Sequence, residues 1–363
     1  MTLKILRAVH AWGGATLALL MLLVSFTGAL LVWRLDYLRL AIPEARVEYE
    51  PSVESLATIA QTVETHFGAA NLRQIDFPTS DLPLGRVTLN DSRYAYVDVR
   101  GNVVAEWSSN GRWEELIYDL HHRLLLENTG LAIVGCAAMA MIILLIAGVA
   151  SFWPMRRGFR DGLWPRSGAV RHLRSAHRNL GIIVATPLLL SLVTGVLLAF
   201  PDQAQRLMLE PLRPENYGEA FGEHLDTISG PGSGDWLPVL QRSLKSFPGS
   251  TIRSAQFANF ESGSRIVGLQ QRGELNPQGL NKVYIEASGG YMDVRIDNQV
   301  LPWHERLFNA AYPLHTARVG NLAYKLVMTV SGLLVATLSA LGLIGFMRSF
   351  QRERHGSGKI RPS

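Results

Sequence analysis

The chain has 363 residues, 48% of them apolar and only 18% charged, where soluble proteins average about 25% charged. The shortage of charge sits in four long apolar runs, which excludes a purely soluble fold, and the one cysteine, Cys136, excludes a disulfide scaffold, a thiolate zinc site and a CxxC redox pair. The formal net charge of +5 would suit nucleic acid, but its distribution reads as membrane topology instead.

The first apolar run, Ala8 to Trp33, follows Lys4 and Arg7 as a signal peptide's would. Its 26 residues are too long for a signal core, so it is expected to stay as an uncleaved anchor. An outer lobe comes next. Ser52 is placed to cap a helix whose Val53, Leu56, Ala60, Val63 and Phe67 recur at helical spacing, and Tyr96-Val97-Asp98-x-x-Gly101 reads as a strand entering a glycine turn. The second run is Leu131 to Trp153 and the third Asn179 to Phe200. A second lobe contains the linker-like stretch 230–235, the helical positions Trp236, Leu240 and Leu244, and the strand-and-turn pattern Tyr284-Ile285-Glu286-x-x-Gly289. The fourth run, Leu322 to Met347, is broken only by Lys325, and the tail is expected to fray from Arg352. Each run exceeds the roughly 20 residues that cross a bilayer core. Trp12, Trp33, Phe152, Trp153, Phe200 and Phe346 lie near their ends, where aromatic rings meet headgroups.

Charge sets the orientation. Segments 1–7, 154–178 and 348–363 hold 14 Lys/Arg against two acids, Asp161 and Glu353, whereas 34–120 and 201–321 hold 8 and 11 against 14 and 13 acids. Both termini are therefore expected inside and both long segments outside.

The chain also repeats. His10-x3-Gly14-x12-Thr27-Gly28-x-Leu30-Leu31-x-Trp33 matches His177-x3-Gly181-x12-Thr194-Gly195-x-Leu197-Leu198-x-Phe200 without a gap. Leu120-His121 and Leu314-His315 are each followed 27 residues later by a glycine, Gly148 and Gly342, with Phe152 and Phe346 four residues further on. The expected fold is an α-helical membrane protein, a four-helix transmembrane bundle built from two tandem repeats with two small outer α+β lobes. Its segments are 1–38 (first spanning helix, N-terminus cytoplasmic), 39–112 (first lobe), 113–155 (second helix with an outer shoulder), 156–175 (basic cytoplasmic loop), 176–202 (third helix), 203–302 (second lobe), 303–348 (fourth helix with an outer shoulder) and 349–363 (cytoplasmic tail). Both halves share one orientation, so the repeat axis is expected along the membrane normal.

Four of the ten histidines occupy equivalent repeat positions. Topology puts His10 and His177 at the cytoplasmic boundary and His121 and His315 at the outer one. Two bis-imidazole sites follow, one per layer. A neutral imidazole from each of two facing helices can hold a metal, and the apolar bundle around it suits a porphyrin. Gly13, Gly14 and Gly181 would let a flat ring approach the backbone. Zinc would need four ligands and non-haem iron a carboxylate, and neither layer supplies them. The competing reading is that boundary histidines bond headgroups or backbone carbonyls. His122 is the alternative ligand beside His121; His66, His172, His224, His304 and His355 have no repeat partners and are read as structural or surface groups.

Arg7, Arg171, Arg174 and Arg178 lie near His10 and His177, as propionate partners or as part of the positive-inside signal. Thr27 and Thr194, beside Gly28 and Gly195, are read as close-packing residues, with a role beside a cofactor as the alternative, and Met139, Met141, Ile142, Ile143 and Leu144 as lipid-facing or packing, with an axial methionine unsupported by the repeat. No hydrolase elbow, phosphate loop or dinucleotide fingerprint is present, so any chemistry is expected to be cofactor-borne.

The spacing of Arg7-x2-His10-x3-Gly14 through Thr27-Gly28, His121-x2-Leu124-Leu125-Leu126-x2-Thr129-Gly130, Thr194-Gly195 and Pro313-Leu314-His315-Thr316-x3-Gly320 resembles the PepSY-associated transmembrane (PepSY_TM) family over nearly the whole chain. Within that family the likeness is to the inner-membrane ferric-siderophore reductases of the FoxB type. The resemblance implies periplasmic PepSY-like lobes, a bacterial inner-membrane location, two b-type haems, and reduction of siderophore-bound iron. His10, His121, His177 and His315 match the family's histidines, while the second lobe diverges and Glu127 stands where glycine is common. On this reading the haem layer of His10/His177 receives an electron from a cytoplasmic or quinol donor, and that of His121/His315 delivers it to a ferric siderophore. Ferrous iron is then released, because hard oxygen chelators hold it poorly. The acidic outer segments favour neutral or cationic siderophores, and the partners are the siderophore, the electron donor and the bilayer, with no nucleic acid. Two other functions fit the architecture: a membrane-anchored PepSY module that binds or regulates a protease without redox chemistry, and a cytochrome b whose acceptor is not a siderophore.

Overall fold

The computed structural model describes residues 3–154, 163–213, 222–229, 235–257, 265–285, 290–297 and 299–357. In chain order the main helices are α1 (Leu3–Leu31), α2 (Arg34–Ala41), α3 (Val53–Phe67), α4 (Trp113–Arg123), α5 (Glu127–Phe152), α6 (Val170–Ala199), α7 (Trp236–Ser246), α8 (Trp303–Asn309), α9 (Ala311–His315) and α10 (Leu322–Ser357). The strands are β1 (Leu72–Asp76), β2 (Gly85–Leu89), β3 (Arg93–Val97), β4 (Val103–Ser108), β5 (Gly222–Ser229), β6 (Thr251–Phe257), β7 (Arg265–Gln270), β8 (Asn281–Ile285) and β9 (Gly290–Ile296). They divide between a helical unit, Met1–Val32 with Ile117–Pro201 and Leu314–Ser363, and a sheet unit, Trp33–Leu116 with Asp202–Pro313.

In the helical unit α1, α5, α6 and α10 each carry a stretch long and apolar enough to cross a membrane, as the four runs require. Met21, Leu180, Val184, Leu192, Val335 and Leu338 form its apolar core. Small residues bring the helices close: a Cβ on Gly332 would lie 3.0 Å from the Ser25 carbonyl oxygen. Two boundaries differ from expectation. Helix α6 begins at Val170, inside the segment expected as loop, and α10 runs to Ser357 instead of fraying at Arg352.

The approaches to α5 and α10 are strained. Leu124, Leu125 and Glu127 have φ of 52°, 61° and 51°, and before α10 Ala317 and Gly320 have φ of 56° and 93°. A left-handed residue other than glycine costs roughly 1–2 kcal/mol, which explains why glycine would suit position 127.

In the sheet unit the two segments expected as lobes share one sheet. All nine strands form a single sheet in the order β4-β3-β2-β1-β6-β7-β8-β9-β5, and the halves meet where β1 runs antiparallel to β6 with Ile75 opposite Ala255. Apart, β1 and β6 would each present a row of unpaired backbone groups, and pairing removes both edges. The shared core holds Ile59, Ala60 and Val63 of α3, Trp236 and Leu240 of α7, and Ile75, Ala255, Val267 and Val283 of the sheet. Burying each large side chain stabilises the unit by about 1.5–3 kcal/mol.

Alternation along β3 sends Ala95 and Val97 to this core and Tyr96 to a second one with Leu38, Ile42, Leu84 and Trp107. Ser52 caps α3 as expected: its side chain accepts from Ser55 N at 3.1 Å, and the Ser55 hydroxyl accepts from Ser52 N at 3.1 Å. Asp235 does the same for α7 through Leu237 N at 3.0 Å. Gly101, at φ 86°, closes the turn after β3 where an added Cβ would lie 3.1 Å from Ile59 backbone. The matching turn at Glu286–Gly289 and the linker positions 230–234 lie outside the described residues. Buried ion pairs anchor α4 and α8: Glu115 with Arg34 and with Arg86 (3.1 Å), and Glu305 with Arg213 (2.6 and 3.1 Å).

Candidate cofactor site: two imidazole pairs

Each of the four repeat histidines projects from one helix onto a glycine of another. A Cβ added to Gly148 of α5 would lie 2.9 Å from His10 Cε1, and one on Gly342 of α10 3.2 Å from His177 Cε1. The corresponding distances are 2.8 Å from Gly28 of α1 to His121 and 3.2 Å from Gly195 of α6 to His315. In a helix the carbonyl of residue i lies beneath residue i+4, so a glycine there leaves the carbonyl's second lone pair open. All four histidines use it. His10 Nδ1 donates to Leu144 O (2.8 Å), His177 Nδ1 to Leu338 O (3.0 Å), His121 Nδ1 to Val24 O (2.9 Å) and His315 Nδ1 to Ser191 O (3.1 Å), each acceptor four residues before its glycine.

A carbonyl only accepts, so Nδ1 carries the hydrogen in each ring and a neutral ring keeps its lone pair on Nε2, the arrangement of a metal-binding imidazole. The rings meet in pairs. His10 and His177 have centroids 6.0 Å apart, and His121 and His315 6.2 Å apart. Two imidazoles on opposite sides of one metal, with metal–nitrogen bonds of about 2 Å, place their centroids about 6 Å apart. Outside the apolar spans, burial pushes His121 and His315 down to about 4, so both are neutral at pH 7. Among the described residues no group of three or more His, Cys, Asp or Glu is placed to hold a metal ion.

The other expected residues are placed as follows. The ring facing His315 is that of His121, whereas His122 stacks on Tyr118 with centroids 5.3 Å apart. A Cβ on Gly14 or Gly181, each four residues after a histidine, would meet nothing within 4 Å, which leaves room beside His10 and His177; one on Gly13 would instead lie 3.0 Å from the Leu144 side chain. Arg174 donates to Ser349 Oγ (2.8 Å) and Arg178 to Asn179 Oδ1 (3.1 Å); Arg7 lies one turn before His10 on α1, and Arg171 is exposed. Met139 and Ile143 are exposed and Leu144 is buried. His172 meets Ser167 Oγ at 2.7 Å, His66 packs on Phe67 and His304 on Trp303, and the side chains of His224 and His355 lie outside the described residues.

Sequence reasoning missed one set of groups and ranked a second too low. The four carbonyl acceptors left no residue-type signal, although glycine four residues downstream marks each one. The threonines, read as packing residues, place Oγ1 against the imidazoles: Thr27 Oγ1 is 3.3 Å from His121 Nδ1 and Thr194 Oγ1 3.0 Å from His315 Nδ1.

A helical membrane protein with a sheet domain and two half-buried imidazole pairs is the class these features define. The family model for the PepSY-associated TM region matches residues 7–348, and the chain belongs to that family. No curated protein matches the chain.

Proposed function

We propose that this membrane protein is a di-haem b reductase of the bacterial inner membrane that passes electrons to ferric siderophore in the periplasm and releases ferrous iron. The observation that carries the reading is the pair of centroid separations, 6.0 and 6.2 Å, between rings whose Nδ1 atoms are all engaged. His10 with His177 and His121 with His315 would each hold one haem through Nε2. Bound haem b supplies a one-electron Fe(III)/Fe(II) couple. The backbone carbonyls fix each ring's tautomer and direction, and two imidazoles on one iron would favour electron transfer over oxygen chemistry.

Along α1 the inner pair begins at His10 and the outer pair meets Val24 and Gly28, which is 14 to 18 residues on. That is roughly 21–27 Å of helix, comparable with the roughly 30 Å hydrocarbon core. Met21, Val184, Val335 and Leu338 keep water out of the core of this unit. The charge distribution supports cytoplasmic termini and a periplasmic sheet unit, and the gapless match around His10 and His177 supports a tandem duplication.

Stopped-flow mixing of the dithionite-reduced protein with ferric siderophores tests the activity. Reoxidation with appearance of ferrous iron is expected. Full reduction of the protein with no reoxidation by any of a panel would remove the iron role and leave a cytochrome b with another acceptor.

A further inference from the structure

The two pairs share the glycine-and-carbonyl clasp but differ in one polar group. Thr27 precedes Gly28 and Thr194 precedes Gly195, whereas the residues before Gly148 and Gly342 are Ala147 and Leu341. Both threonine hydroxyls donate to their own helix: Thr27 to Leu23 O (2.8 Å) or Val24 O (3.0 Å), and Thr194 to Leu190 O (2.7 Å) or Ser191 O (3.2 Å). In both cases the shorter contact is to the carbonyl that the histidine does not use. With its hydrogen so engaged, each Oγ1 turns a lone pair toward the Nδ1–H of its histidine, at 3.3 Å for Thr27 and 3.0 Å for Thr194. His121 and His315 therefore each donate to two acceptors, a carbonyl and a hydroxyl. For His10 and His177 the carbonyl is the acceptor, and Ala147 and Leu341 offer no hydroxyl.

We propose that Thr27 and Thr194 are positioning residues that make the His121/His315 site the more reducing of the two. The inference rests on the reading that each pair holds an iron porphyrin. An additional acceptor at Nδ1 raises the basicity of the ring, and a more basic axial ligand favours Fe(III) over Fe(II). The consequence suits a site that must reduce ferric iron held by hard oxygen chelators, which themselves favour Fe(III).

The test is a spectroelectrochemical titration of the full-length protein in detergent, followed through its haem absorption, with His121→Ala used to assign the outer component. The Thr27→Val/Thr194→Val double variant keeps the side-chain shape and removes both hydroxyls. Its outer midpoint is expected to rise by about tenfold in the oxidation–reduction equilibrium, which is about 59 mV for one electron, with the inner midpoint unmoved. Serine at both positions should restore the original value. A double valine variant with both midpoints unchanged overturns the proposal, as does equal movement of both. If the valine variant loses its outer signal, Ala147→Thr decides: the inner midpoint falls as His10 gains an acceptor, and an unmoved midpoint overturns the proposal. Wild-type protein without a haem spectrum would instead overturn the functional reading on which this rests.

Discussion

The pair proposed as inner, His10 and His177, stands within long continuous helices; the pair proposed as outer, His121 and His315, stands at or near the ends of short helices before left-handed turns. The clasp is nonetheless the same in all four places: a glycine, the carbonyl four residues before it, and an imidazole from another helix. The comparison teaches that the unit of design is the bare helical turn that receives the ring, more than the helix that sends it. What varies is the surrounding chemistry. The inner pair has open space beside Gly14 and Gly181, and the outer pair has the hydroxyls of Thr27 and Thr194.

The largest effects should come from the rings themselves. If each pair holds a haem as proposed, His121→Ala or His315→Ala should remove one haem signal and leave the other intact, with the reverse for His10→Ala or His177→Ala; pyridine haemochrome and absorption spectra measure this. Filling the open space should be nearly as damaging on one side only. Gly14→Leu or Gly181→Leu should abolish the inner signal while the outer one persists, and retention of both signals would show that the space serves no ring.

Adding a single methyl beneath the imidazoles should give a graded result. Gly28→Ala and Gly148→Ala place a Cβ 2.8 and 2.9 Å from a histidine ring, against 3.2 Å for Gly195→Ala and Gly342→Ala. The first two should weaken haem retention by about 10–100-fold, and the second two by less, as measured by haem transfer to apomyoglobin. The smallest effect concerns the strained turn before α5. Glu127→Gly should stabilise the outer region by about 1 kcal/mol, because glycine adopts the left-handed φ of 51° without cost, and thermal melting followed at the outer haem band reads it.

Much of this arrangement was legible in the sequence. Hydropathy located the four spanning helices, and the spacing of 27 residues from His121 to Gly148 and from His315 to Gly342 revealed equivalent positions. The partners were harder to see. Each glycine serves a histidine other than the one that the repeat spacing ties it to, because the spacing records position along one chain while the clasp forms between helices. Leu144, Val24, Leu338 and Ser191 act through backbone oxygens, which their side chains do not announce. The union of the two lobes through β1 and β6 was invisible for a related reason: strand periodicity reports the faces of a sheet and says nothing of its edges.

The most direct test is a low-temperature electron paramagnetic resonance spectrum of the oxidised protein, purified from haem-replete cells and quantified against its iron. The account predicts two low-spin ferric signals of bis-imidazole type in equal amount, one lost in His10→Ala and the other in His121→Ala. A folded protein without either signal, or one whose signals survive both substitutions, would contradict it.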